Sequence, residues 1–288
     1  MKPSVALSHL LPQHALSALV RAATRWRWQP WKNWLIARVV RSYGVDLQEA
    51  EHADAAAYIH FDAFFTRALK PDARPLATDP AAVLCPADGR ISQAGAIAQG
   101  RIVQAKGRSY SVAELLADPA AAERYAEGNF VNVYLSPRDY HRVHMPLTGN
   151  LLETVHVPGR LFSVAPAAVA GVDRLFARNE RLVCHFRGAQ GDFAVIMVGA
   201  LLVSGISTSW DGVVIPPYAR RLQRRLQQGV QLAAGSEMAR FHMGSTVIVL
   251  FAAAQVQLDA ALAPQSPVRM GQALGRLCAA GDGAVTTP

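Results

Sequence analysis

The chain has 288 residues, 51% of them apolar and 17% charged, with a formal net charge of +8. That length accommodates one large domain or two small ones with ample core, and the apolar content excludes a disordered chain. The positive balance points to an anionic partner, and without zinc-finger spacing, an aromatic RNA-binding signature or a recognition helix, nucleic acid is not expected.

Three widely spaced cysteines, Cys85, Cys184 and Cys278, form neither a disulfide framework nor a Cys-x-x-Cys pair. A reducing compartment fits them. No apolar run is long enough for a spanning helix, and no secretory signal opens the chain.

Residues 1 to 44 stand apart. They hold Lys2, Arg21, Arg25, Arg27, Lys32, Arg38 and Arg41, and no acidic residue precedes Asp46. Trp26, Trp28, Trp31 and Trp34 lie here too. A helix from Gln13 to Trp28 places Leu16, Leu19, Val20, Ala23 and Trp26 on one side, with Arg21 and Arg25 on the other. Pro30 suits the first turn of a second helix, which runs to Tyr43 and stops at Gly44. Aromatic residues and cations without acids suggest an interfacial membrane anchor. The competing reading is a helical hairpin packed on the core with a basic solvated face.

Glu49–Glu51 and Phe61–Phe65 read as short helices, and Pro71, Pro75 and Pro80 as an extended linker. Strand-like runs then dominate: 82–84, 101–103, 130–135, 151–157, 182–186, 193–206 and 213–215. A helix interrupts them near Ser111 to Leu116, and a helical turn is expected within Asp173 to Arg178. The basic run Arg220 to Arg225 is either a solvated face or a second anionic contact. The expected fold is α+β, with a β-rich core of mainly antiparallel strands behind N-terminal membrane-associating helices.

Four stretches carry candidate chemistry. Asp88 lies in Pro86-Ala87-Asp88-Gly89, a turn after a strand. His141 and His144 lie in Ser136-Pro137-Arg138-Asp139-Tyr140-His141-Arg142-Val143-His144-Met145-Pro146. Their i, i+3 spacing lacks a third or fourth ligand, so no metal is expected. Ser207 to Gly212 is a hydroxyl-rich turn around Trp210. Finally, Gly244-Ser245-Thr246 enters the apolar run Val247 to Phe251, which reads as a buried strand. The Ser245 hydroxyl can reach the preceding carbonyl and attack its own peptide bond; the ordinary alternative is a turn glycine followed by a strand-start serine. Asp88, His144 and Ser245 suggest an orienter, base and nucleophile, though the hydrolase elbow Gly-x-Ser-x-Gly is missing.

These motifs resemble those of the bacterial phosphatidylserine decarboxylases, from about Val45 to Gly275. The likeness runs through Val157-Pro158-Gly159, Leu175 to Arg181 and Val198-Gly199-Ala200. Met243 departs from the usual leucine and His242 from a frequent lysine, and residues 1–44 match in character only. The resemblance implies a proenzyme in which the Ser245 hydroxyl attacks the Gly244 carbonyl. Elimination and hydrolysis then leave a covalent pyruvoyl group derived from Ser245. His144 would be the base, with Asp88 fixing its tautomer and stabilising its cation. The products would be a β chain, 1–244, and an α chain, 245–288, which stay together.

The pyruvoyl ketone would form a Schiff base with phosphatidylserine, release carbon dioxide and yield phosphatidylethanolamine. His141 is the candidate proton donor or headgroup contact. The resemblance also implies residues 1–44 as anchor, 45–288 as catalytic domain, and a peripheral place on the cytoplasmic face of the cell membrane. It leaves homodimerisation open. Three rival readings remain: a pyruvoyl decarboxylase of a soluble amino acid, a serine hydrolase using Ser245, His144 and Asp88, and a non-catalytic protein that binds anionic lipid.

Overall fold

The computed structural model describes residues 12–202, 205–243 and 245–279. Gly244 and the side chain of Ser245, both named above, lie outside the described part, as does Lys2.

Two helices come first, Gln13–Thr24 and Gln29–Tyr43. The first stops at Thr24 rather than Trp28. Trp28 is needed in an extended conformation as the N-cap of the second helix, which carries Pro30 in its first turn. Trp31 Nε1–H closes the corner by donating to the Ala23 carbonyl at 2.8 Å, satisfying one of the carbonyls a helix end leaves open. Gly44 ends the second helix in the left-handed region, φ 65°, and its N–H bonds the Val40 carbonyl.

The first helix docks with its polar side inward. Gln13, Ser17 and Thr24 are its buried residues. The Gln13 side chain accepts from Leu161 N at 2.8 Å, His14 meets Glu180 at 3.2 Å, and Arg25 meets Asp62 at 3.6 Å. Leu19 is 67% exposed, while Trp26, Trp28 and Trp34 are 56%, 55% and 54% exposed. The solvated basic face of the hairpin reading therefore fails for Arg21, which is half-buried on the docked side, whereas Arg25 stays exposed while reaching Asp62. Lys32 is also structural: its buried Nζ donates to the carbonyls of Ala55, Ala56 and Tyr58.

The strands are, in chain order, β1 (Ala82–Leu84), β2 (Gly89–Ala96), β3 (Arg101–Ala105), β4 (Arg108–Ser111), β5 (Asn129–Leu135), β6 (Arg142–His144), β7 (Gly149–Val157), β8 (Arg181–Gly188) and β9 (Gly191–Val198). They continue with β10 (Gly205–Thr208), β11 (Gly212–Ile215), β12 (Gln223–Leu226), β13 (Gln231–Leu232), β14 (Glu237–His242), β15 (Ser245–Phe251), β16 (Val256–Leu258), β17 (Pro267–Val268) and β18 (Ala273–Leu277). Among the described residues a nine-stranded sheet runs β12-β7-β8-β9-β15-β5-β2-β17, with β13 also on β7. A four-stranded sheet runs β11-β10-β14-β6, a three-stranded one β1-β18-β16, and β3 pairs with β4. All these ladders are antiparallel. The α+β, β-rich antiparallel expectation holds.

β15 explains its own composition. Val247, Val249 and Phe251 enter one core cluster, and Ile248 and Leu250 enter another on the opposite face. A strand buried on both faces needs apolar residues at every position rather than at alternate ones. Each such side chain contributes roughly 1.5–3 kcal/mol by burial.

Other expectations need correction. The run 193–206 is two strands, because the chain leaves the large sheet after Val198 and joins the four-stranded one at Gly205. Glu49–Glu51 is not helical: Ala50 bridges Leu69, and neighbouring backbone bonds run from Lys70 N to Glu49 O and from Glu51 N to Ala68 O. Part of the basic run forms edge strand β12, where Arg224 pairs with Asp118 and Glu153, and Arg225 with Asp211. The helix at Val112–Leu116 is capped by Ser111, completed by Glu114 into a capping box.

Candidate active site

β14 belongs to the four-stranded sheet and β15 to the nine-stranded sheet. Only Met243 and Gly244 lie between them. Upstream, Phe241 N–H donates to the His141 carbonyl at 3.0 Å, and His242 is in register with Gly205. Downstream, Ser245 is in register with Leu135, and Thr246 with Tyr134 and Val198. Met243 crosses this gap at φ +78°. A left-handed conformation costs a non-glycine residue about 1–2 kcal/mol. Here the two anchored strand ends impose it.

His144 ends β6, opposite Glu237 on β14. Its Nδ1 lies 2.8 Å from the Gly235 carbonyl, which can only accept, so Nδ1 carries the proton. Nε2 therefore presents its lone pair to the Tyr140 hydroxyl at 3.0 Å. Burial depresses the His144 pKa, against weaker opposing contributions from Gly235 and Glu237. A neutral imidazole with its Nε2 lone pair toward a hydroxyl is in a tautomer that can accept a proton.

Asp88 does not set that tautomer. Its carboxylate accepts from Arg74 Nε at 2.9 and 3.0 Å, from Arg74 Nη2 at 2.6 Å, and from Met270 N at 2.9 Å. Among the described residues no hydrogen bond joins Asp88 to His144. The connection is through the backbone: His144 N–H donates to the Pro86 carbonyl at 2.8 Å, in the turn that Asp88 holds. Arg74 also pairs with Glu49 at 2.6 Å. Burial works against the Arg74 charge, but the hydrogen bonds to Asp88 and Glu49 outweigh it and raise its pKa. Motif reading missed Arg74, Tyr140 and Gly235. Only Tyr140 left a signal, lying inside the histidine motif four residues before His144.

His141 is fully buried, its ring 4.0 Å from that of Phe65, centroid to centroid. Burial pushes its pKa down to about 3. Nδ1–H donates to the Asp139 carbonyl at 2.8 Å, and Nε2 has no partner among the described residues. In this tautomer Nε2 accepts and does not donate. That resting state does not suit the expected proton donor.

An apolar cavity of about 340 Å³ lies beside the strand switch, lined by Val39, Tyr43, Phe65, Leu135, Val164 and Met243 among others. Leu135 is the register partner of Ser245, so the cavity adjoins the start of β15. Val39 and Tyr43 bring the second N-terminal helix to its wall. The described residues hold no cluster of His, Cys, Asp or Glu suited to a metal ion.

Comparison with known proteins agrees along nearly the whole chain. The phosphatidylserine decarboxylase family model matches residues 61–276, and a second model, described as PSD, matches residues 3–44. The phosphatidylserine decarboxylase proenzyme of Xanthomonas axonopodis pv. citri is 58% identical over 272 residues, covering 94% of this chain and 97% of its own. That of Stenotrophomonas maltophilia is 53% identical over 279 residues, covering 96% and 100%. On this evidence the chain is an enzyme and belongs to the phosphatidylserine decarboxylase family.

Proposed function

We propose that this enzyme cuts itself between Gly244 and Ser245 and then decarboxylates phosphatidylserine to phosphatidylethanolamine at a membrane surface. The observation that carries the reading is the strand switch, where Met243 holds a left-handed φ between two anchored strand ends. Strain at that point raises the ground state of a bond that is to be broken. The Ser245 hydroxyl adds to the Gly244 carbonyl, the peptide C–N bond breaks, and an ester replaces it. Loss of the Ser245 α-proton with departure of the Gly244 carboxylate, followed by hydrolysis with release of ammonia, converts the new N-terminus to pyruvoyl.

His144 is the base. Burial keeps it neutral, Gly235 fixes the proton on Nδ1, and Nε2 works through the Tyr140 hydroxyl. Burial pushes the Tyr140 pKa up to about 12, so the phenol stays protonated and can relay. Asp88 and Arg74 are positioning residues that fix the turn to which His144 is bonded. After the cut the α chain remains held, because β15 lies between β5 and β9, β17 pairs with β2, and β18 pairs with β1.

The apolar cavity beside the start of β15 suits a pyruvoyl terminus that receives a lipid, and Phe65 on its wall packs on His141, whose Nε2 has no partner among the described residues. Once formed, that group supplies an electrophilic ketone and an electron sink for decarboxylation. Exposed Leu19, Trp26, Trp28 and Trp34, with Arg27, Arg38 and Arg41 nearby, suit the headgroup layer of an anionic bilayer. This favours a lipid substrate over a soluble amino acid, and a peripheral position on the cell membrane's cytoplasmic face.

Mass spectrometry of the purified protein tests the reading. Two fragments are expected, 1–244 and 245–288, the smaller carrying pyruvoyl in place of serine. Ser245→Ala should leave one intact chain. An active, uncut wild-type chain would overturn the proposal.

A further inference from the structure

We infer that His242 is a positioning residue for self-cleavage; this rests on the self-processing reading above. His242 is the last residue of β14, directly before the left-handed Met243. Its Nδ1 lies 3.0 Å from both Asp62 carboxylate oxygens and its Nε2 lies 3.0 Å from Ser207 Oγ. Nδ1–H donates to Asp62, and Nε2 pairs with the Ser207 hydroxyl. Asp62 is buried in the short helix Phe61–Phe65, and Arg25 at the end of the first helix lies 3.6 Å from it. Burial raises the Asp62 pKa, but the hydrogen bond and charge of His242, with Arg25, outweigh that and hold it below the usual carboxylate range. His242 thus ties together β14, β10 and the short helix, and through Asp62 the first helix.

The order of contacts, Asp62 to His242 to Ser207, is that of a hydrolase triad. A hydrolase also needs room for its substrate and donors for an oxyanion. The cavity beside His242, lined by Ser17, Arg21, Asp62, Tyr218 and Met243 among others, measures about 10 Å³. That is room for a single water, so the trio holds a strand end rather than an ester.

Packing reinforces the hold. A Cβ on Gly205 would lie 2.6 Å from the His242 Cβ, so the two strands meet here without side-chain space between them. With both ring nitrogens engaged, His242 cannot move without breaking buried polar contacts. Met243 therefore cannot relax its backbone by dragging β14 out of register. The ladder from Ser245 to Leu135 fixes the other side of the gap. His242 keeps hydroxyl and carbonyl at high effective concentration by denying the chain its relaxed alternatives.

The test follows full-length precursor made by cell-free translation in the presence of anionic vesicles. The half-time of splitting is read on gels, with and without hydroxylamine, which cleaves an ester but leaves a peptide bond intact. His242→Ala should lengthen the half-time at least tenfold and yield no hydroxylamine-labile ester. His242→Asn retains a donor for Asp62 and should recover most of the rate. In the uncleavable Ser245→Ala background His242→Ala should melt lower than His242→Asn, because buried Asp62 loses its donor. Splitting is therefore compared at a temperature where both variants are fully folded, which separates positioning from folding. Wild-type splitting by His242→Ala, ester accumulation in it, or failure of His242→Asn to rescue would overturn the inference. A wild-type chain that never splits would instead remove the self-processing reading itself.

Discussion

Arg74 grips the Asp88 carboxylate with Nε and Nη2, the shortest contact being 2.6 Å, and both side chains are more than nine-tenths buried. This pair holds the turn whose Pro86 carbonyl receives His144 N–H. Its influence on the base is mechanical. Breaking one side of a buried ion pair costs about 3–5 kcal/mol, because the other charge is left uncompensated. Asp88→Ala and Arg74→Gln should therefore both destabilise the fold and both slow self-cleavage. The double variant should cost less than the sum, as expected for residues sharing one contact. Urea denaturation in the Ser245→Ala background gives the stabilities, and gel analysis with Ser245 present gives the cutting rates. If Asp88 instead acted directly on His144, Arg74→Gln would cut normally.

Stability should fall as the solution is acidified from neutrality. Burial depresses His144, pushes His141 down to about 3 and pushes His185 down to about 4. Unfolded histidines bind protons near pH 6.5. Below that pH the unfolded chain takes up protons that the folded chain refuses, so unfolding becomes easier. The stability these neutral rings contribute is complete above about pH 6.5 and is lost as pH falls toward 4 and 3. Each ring contributes a slope of up to about 1.4 kcal/mol per pH unit. Denaturation midpoints at pH 7, 6 and 5 check this. His185→Phe should flatten the profile, since it removes one such group from a core position.

Much of this was legible in the residue order, for reasons that can be named. β15 announced itself because a strand buried on both faces needs an unbroken apolar run, and Ser245 stands at its start. Ser109 and Ser111 announced a helix start nearby, and the structure selects Ser111, whose side chain caps the Glu114 N–H. The Asp88 contact was illegible, because Arg74 sits in a proline-rich linker with no periodic signal and meets Asp88 only through tertiary folding. The end of β9 was equally hidden: Val198 to Ile206 stays apolar although the chain changes sheets, and hydropathy does not record which sheet a strand joins. Periodicity separates the two faces of the first helix but cannot say which face docks. Gln13, His14 and Arg25 settle that by finding Leu161, Glu180 and Asp62.

That inverted helix predicts membrane binding with a particular composition. A helix that docks by its polar side leaves its apolar side for another apolar medium. Trp26→Ser with Trp34→Ser should weaken flotation with anionic vesicles at least tenfold, equivalent to about 1.4 kcal/mol. Neither side chain is buried, so the melting temperature should stay nearly unchanged. Arg27→Gln, Arg38→Gln and Arg41→Gln should each weaken binding by about 1 kcal/mol and reduce its salt dependence. Equal flotation of wild type and the tryptophan double variant would refute the anchor.

Tyr140 offers the sharpest view of the proton path. Its hydroxyl sits 3.0 Å from His144 Nε2, and burial holds its pKa up at about 12. The phenol therefore donates to the imidazole at neutral pH and does not compete as a base. If protons reach His144 through it, Tyr140→Phe should slow self-cleavage ten- to a hundredfold, about 1.4–2.7 kcal/mol in the barrier. The loss in stability should be only about 1 kcal/mol, the usual worth of one hydrogen bond. Solvent deuterium should slow the wild type more than the variant, because the relay moves an extra proton. If Tyr140→Phe cuts as fast as wild type, or faster, the hydroxyl merely covers Nε2 and His144 takes the proton directly.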